Sequence, residues 1–302
     1  MKNIKKILAR YNFIIVFILI ICIILYLYYH YKTFEKFDNN NDNKIIMQSS
    51  QAGFFACCGH ILKTIVDVYN TSKKLPYSID SSKQFELYKP TWLKDDITYH
   101  FFCKPINIDI SSNTLNNFIN LGHNLQYYKY KDIDYKSLEP FINKYFTPSH
   151  DIINIKNKII EKYKIDVNKY CAVYYRGTDK ITETTIGGFD TYIDKMNELL
   201  KTDKNIKFII QSDNQHFIDD VKLKFSNTIS FDENVASYTD KGIHNENTQD
   251  DNYEIMKNFL AIIYLVAQCK YIICSSGNCS IWMMYYRGHG NNVKQFLNNE
   301  WL

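Results

Sequence analysis

Three short polar clusters carry the side chains best suited to chemistry in this 302-residue chain, and each directly follows an apolar run. The first, Arg176-Gly177-Thr178-Asp179-Lys180, follows Cys171-Ala172-Val173-Tyr174-Tyr175. A guanidinium one residue past a buried strand can clamp a diphosphate through two parallel hydrogen bonds, and Gly177 gives the backbone room. Lys180 adds a point charge, Thr178 a hydroxyl, and Asp179 a carboxylate that can orient Arg176 or take a proton. The second cluster is Gln211-Ser212-Asp213-Asn214, after the largely apolar stretch 206–210. Asp213 there suits a ribose or a base edge, or equally the cap of a following helix. The third is Ser275-Ser276-Gly277-Asn278, after residues 271–274. Hydroxyls and backbone N–H groups at a helix start bind phosphate, and the same residues also make an ordinary N-cap. There is no GxGxxG and no P-loop lysine motif, so hydride transfer and ATP hydrolysis lack support. No Cys/His spacing suggests zinc, and no metal site is expected.

The elements around these clusters alternate. Residues 171–175, 206–210, 228–231 and 271–274 read as short buried strands. Between them, Phe189, Tyr192, Ile193, Met196, Leu199 and Leu200 recur at helical spacing, as do Phe217, Ile218, Val221 and Phe225. Residues 259–267 are all apolar but too few to cross a membrane, so they read as a buried helix, and residues 280–286 as a further one. This rhythm predicts an α/β fold with a parallel sheet, in which ligands sit beyond the carboxyl ends of the strands. Upstream, a helix is expected from near Gly53, a strand over 76–80 and a helix over 133–146. They belong to a second α/β lobe with a boundary near Pro148.

The residues at these strand ends resemble the α-fucosyltransferase superfamily, which includes α1,6-fucosyltransferases and NodZ-type enzymes. Tyr174-Tyr175-Arg176-Gly177-Thr178-Asp179-Lys180 is similar to its first motif, His-x-Arg-x-Thr-Asp-Lys, with Tyr174 in the place of the His. Ser212-Asp213-Asn214 resembles the second motif, and the stretch from Gln268 to Asn278 the last. The resemblance covers roughly residues 146–297. It implies a GT-B fold of two Rossmann-like lobes, GDP-fucose as donor, no cofactor or obligatory metal, and inversion at the anomeric carbon. It implies that Arg176 neutralises the departing β-phosphate, that Asp213 and Asn214 lie near the nucleoside, and that Ser275, Ser276, Gly277 and Asn278 line the diphosphate pocket with Tyr174, Thr178 and Lys180. Some relatives place an acid four residues past the motif lysine, where this chain has Thr184. Glu183, next to it, is the candidate base, with Asp179 as the alternative. Two other functions stay open: a GT-B enzyme with another nucleotide sugar, and a catalytically inactive glycan-binding or structural protein.

The front of the chain sets the compartment. Residues 1–36 carry a net charge of +5 and the rest −1, so no strongly basic body remains to bind nucleic acid. Residues 13–29 hold no charge, follow four basic residues and end in a tyrosine-rich belt. They read as an uncleaved signal anchor with a cytoplasmic flank, over a cleavable signal peptide. A type II protein is expected: flank and anchor over 1–30, stem over 31–50, acceptor-side lobe over 51–148, donor-binding lobe over 149–302. Its body would be luminal, of Golgi or ER type, or extracytoplasmic, acting on a nucleotide sugar and a glycan. Asn70-Thr71-Ser72 is a glycosylation sequon, and Asn278-Cys279-Ser280 another that the cleft would shield. Seven cysteines beyond Cys22 leave at least one thiol unpaired within the chain.

Overall fold

The computed structural model describes residues 21, 44–105, 121, 125–177, 186–239 and 247–302. The chain divides into two compact units, Met1–Ile46 with Pro76–Ile79, and Met47–Leu75 with Asp80–Leu302. β1 (Lys44–Ile46) and β2 (Ser78–Asp80) pair as a two-stranded sheet. Among the described residues no helix is long and apolar enough to cross a membrane. The anchor read over 13–29 lies outside the described residues except for Ile21.

The larger unit is built on a six-stranded sheet. Its strands are β3 (Tyr170–Tyr175), β4 (Lys207–Ser212), β5 (Thr228–Ile229), β6 (Tyr271–Ser275), β7 (Val293–Leu297) and β8 (Glu300–Trp301). Their order is β5-β4-β3-β6-β7-β8, parallel except for the last pair. Counted from β3, this is the doubly wound order 3-2-1-4-5-6, whose switch point falls between β3 and β6. The connecting helices are α5 (Phe189–Thr202), α6 (Gln215–Lys224), α7 (Gln249–Val266) and α8 (Asn278–Arg287). Ahead of the sheet come α1 (Phe54–Ser72), α2 (Thr98–Phe101), α3 (Tyr135–Tyr145) and α4 (His150–Tyr163).

The predicted strands and helices of the second half are present, with different ends. β4 runs two residues further than its apolar run, through Gln211 and Ser212, both buried. β5 is only two residues long. α7 begins ten residues before its apolar stretch, because Thr248 and Asp251 form a reciprocal capping box. α4, β7 and β8 were not foreseen. In residues 51–148 the described elements are mostly helical, with β2 the strand read over 76–80.

All six residues of β3 are buried, as a central parallel strand covered on both faces requires. Cys171, Val173 and Tyr175 share a core with Phe208, Ile210, Tyr192, Phe217 and Val221. The Tyr175 ring stacks on Phe217 at 4.4 Å and meets Phe189 and Tyr192 edge-on. Trp282 of α8 anchors a second aromatic core. Its Nε1 donates to Phe55 O at 3.0 Å and its ring lies 4.7 Å from Phe146. The segment 86–91 is fastened to the first turn of α7. Gln249 Nε2 donates to Glu86 O (3.1 Å), Asn252 Nδ2 to Leu87 O (3.3 Å), and Thr91 N to Asp250 Oδ1 (2.7 Å).

Candidate functional site

Strand register brings the three polar clusters to one edge of the sheet. Tyr175 pairs with Ser212 and Tyr174 with Cys274, so Arg176 leaves β3 between Asp213 on one side and Ser276 on the other. The switch point between β3 and β6 opens beside it, where open parallel sheets hold their ligands.

Gly177 is needed at this corner. A Cβ there would overlap the Tyr175 ring, which Phe217, Phe189 and Tyr192 hold in place. The Gly177 N–H donates to Asp213 Oδ1 at 3.0 Å, and Arg176 Nε lies 3.8 Å from Asp213 Oδ2. The side chains of Arg176 and Asp213 keep 25% and 19% exposure, enough to meet a ligand. Asp213 is not the helix cap. Asn214 takes that role, its Oδ1 accepting from Phe217 N at 3.1 Å, which leaves the Asp213 carboxylate to join β3 and β4.

The serine cluster is more heavily committed than its sequence suggests. Ser276 Oγ donates to Phe296 O at 2.9 Å and accepts from Gln295 Nε2 at 2.8 Å. Gly277 N–H donates to the Tyr130 hydroxyl at 3.1 Å. Ser280 Oγ donates to Ser275 O at 2.6 Å. Helix geometry leaves the N–H groups of Asn278, Cys279 and Ser280 at the start of α8 without partners four residues back, while that of Ile281 donates to Gly277 O at 2.9 Å.

Tyr174 lies on β3 two residues before Arg176. It is buried, shares a hydrogen bond with Cys279 in the first turn of α8, and lies within electrostatic reach of Arg176 and Asp213. Burial, with the Cys279 charge second, pushes its phenol well above the ordinary tyrosine range, so it stays protonated. Thr178, Asp179, Lys180 and Glu183 lie outside the described residues.

Three more residues border this corner: Tyr130 and Tyr88, which had no sequence signal, and Gln211 of the second cluster. Tyr130 reaches Gly277 across 147 positions, and its own N–H donates to Gln295 Oε1 at 2.8 Å. Tyr88 is buried within reach of the Arg176 charge; burial raises its phenol pKa, and its oxygen accepts from Phe54 N at 2.8 Å. Gln211 Oε1 is buried with no hydrogen-bond partner among the described residues. The Tyr130 and Tyr88 contacts are long-range, and nothing in local composition announces them.

No family model matches the chain, and no curated protein does. Solved structures do. NodZ α-1,6-fucosyltransferase co-crystallised with GDP matches with a TM-score of 0.53 at 12% identity, over 87% of this chain and 98% of that one. The same enzyme soaked with GDP-fucose matches with a TM-score of 0.51 at 12% identity, over 86% and 97%. Fucosyltransferase NodZ from Bradyrhizobium matches with a TM-score of 0.53 at 11% identity, over 86% and 100%. This chain has the α/β, GT-B-like fold of the NodZ fucosyltransferases.

Proposed function

We propose that the protein is a glycosyltransferase that moves fucose from GDP-fucose to a glycan hydroxyl with inversion. The observation that carries the reading is the convergence of Arg176, Asp213 and the start of α8 at the switch point of a doubly wound sheet. The fold's likeness to NodZ, solved with GDP and with GDP-fucose, supports the choice of donor.

On this reading the acceptor hydroxyl attacks the anomeric carbon from the face opposite the diphosphate. The C–O bond to GDP breaks, and the hydroxyl proton passes to a carboxylate, Glu183 or else Asp179. Such a base contributes about 10²–10⁴-fold. Arg176 and Lys180 neutralise the charge that grows on the β-phosphate, and this electrostatic term is the larger. The N–H groups of the first turn of α8, near Ser275, Ser276 and Asn278, add their dipoles. Thr178 and Tyr174 complete the donor side, while Asp213 and Asn214 border the nucleoside. No metal and no cofactor enters. Two facing lobes, over 51–148 and 149–302, hold acceptor and donor, and residues 13–29 anchor the body to a membrane with its catalytic part luminal or extracytoplasmic.

A panel of GDP-fucose, GDP-mannose, UDP-N-acetylglucosamine and UDP-galactose, offered with and without a mixed N-glycan acceptor and with excess EDTA, tests the reading. Mass spectrometry should show a deoxyhexose added from GDP-fucose alone, at a rate EDTA leaves unchanged. Turnover of a UDP-sugar in its place would move the enzyme to another donor. No turnover of any donor, with no nucleotide stabilising the fold, would make it a non-catalytic protein.

A further inference from the structure

Trp92 stands apart from the other two tryptophans. Trp282 is buried and Trp301 half-buried, while Trp92 is 59% exposed. It is nevertheless held. Tyr253 meets it edge-on at 5.7 Å and 87°, and His100 lies tilted against it at 6.3 Å and 52°. These two are themselves fixed: His100 Nδ1 and the Tyr253 hydroxyl share a hydrogen bond of 2.9 Å, and the Tyr253 ring continues inward to Phe101 at 6.0 Å. The preceding residue, Thr91, is tied to Asp250 through both its backbone N–H (2.7 Å) and its hydroxyl (3.1 Å). Neither neighbouring ring stacks flat on the indole, their planes lying at 87° and 52° to it.

We propose that Trp92 is a stacking platform for a sugar ring of the acceptor glycan, with His100, Asp250 and Thr91 as its polar rim. The chemistry fits a saccharide better than another apolar surface. A pyranose presents a face of C–H groups, whose partial positive charge suits the negative face of an indole, and hydroxyls at its edge that seek nearby donors and acceptors. An aromatic already fixed by its neighbours loses little entropy on binding. A carboxylate and an imidazole at the rim would be an expensive border for a purely hydrophobic partner.

Position makes it an acceptor subsite. Trp92 is four positions along the chain from Tyr88, which lies within reach of the Arg176 charge. That is at most about 14 Å, and the turn closed by Leu93 N to Pro90 O shortens it. The platform therefore lies within a few sugar units of the anomeric carbon in the proposed reaction. The acceptor role rests on that proposed reaction; saccharide binding itself does not.

Calorimetric titration of the full-length protein with cellotetraose, maltotetraose, mannotetraose and the tetramer of N-acetylglucosamine tests it, alongside titration with GDP. At least one tetrasaccharide should bind. Trp92→Ala should weaken it at least tenfold, Trp92→Phe less than threefold, and GDP affinity should be equal in all three proteins. Trp92 emission in the wild type should shift saturably with the same midpoint. Equal saccharide affinity in wild type and Trp92→Ala, or binding of none of the four sugars, overturns the platform. Trp92-dependent sugar binding without any GDP binding leaves the platform standing and removes the nucleotide-sugar reading.

Discussion

The two ends of the central sheet use arginine in opposite ways. At the amino ends of β6 and β7, Arg287 donates to the carbonyls of Ala267 (3.0 Å), Cys269, Lys270 (3.1 Å) and Asn291 (3.2 Å). Beside it Lys270 pairs with Asp203 at 2.7 Å, and Asn227 Nδ2 donates to Ile206 O at 2.8 Å. Polar groups there close valences that the fold itself leaves open. At the carboxyl ends, the described ion pair of Arg176 is a 3.8 Å approach to Asp213, next to a helix start and a buried tyrosine. One arginine completes the backbone; the other stands where a doubly wound sheet admits a ligand. Charge alone does not mark a site, but its place relative to the switch point does.

Deleting each arginine should separate binding from folding. Arg176→Ala should lower the proposed fucosyl transfer by about 10³-fold, the scale of removing a group that stabilises developing charge, with the thermal midpoint nearly unchanged. Arg287→Ala should do the reverse. It leaves several carbonyls unsatisfied and should cost about 3 kcal/mol in urea unfolding, while the folded fraction keeps its affinity for GDP. A stability loss in the first variant as large as in the second would erase the distinction.

Finer changes at the carboxyl ends sharpen it. Gly177→Ala should destabilise by about 2 kcal/mol, the scale of overpacking, because the added methyl meets a Tyr175 ring that cannot retreat. Tyr130→Phe should cost about 1 kcal/mol by stranding the Gly277 N–H. Both are read by chemical denaturation. A further effect appears only in alkali. Burial, with the Asp213 charge second, pushes the Tyr175 phenol from 10.0 up to about 12. The fold keeps the neutral form while the unfolded chain ionises, so this contribution is intact below pH 10 and is lost between about pH 10 and 12. Tyr175→Phe should flatten that part of the profile of thermal midpoint against pH; an unchanged profile would place the titration elsewhere.

Much of the sheet could be read from the chain because β3, β4 and β6 are short apolar runs with polar stops. β7 could not, since Lys294 and Gln295 interrupt it. Gln295 is buried because its amide serves Tyr130, Tyr128 and Ser276, partners no local pattern reveals. α4 did leave a trace: Ile152 and Ile159, both buried, are seven positions apart, two helical turns. Arg176, Gly177 and Asp213 were legible as a strand-end cluster. That Asn214 and not Asp213 caps α6 was not, because adjacent Asp and Asn cap equally well.

Calorimetric titration of GDP into the wild-type protein and into Arg176→Ala tests the central claim most directly. The account predicts saturable binding of GDP to the wild type, stronger than that of UDP or ADP, and a loss of at least fiftyfold in the variant. Equal affinity in the two proteins, or no nucleotide binding by a folded wild type, would contradict it.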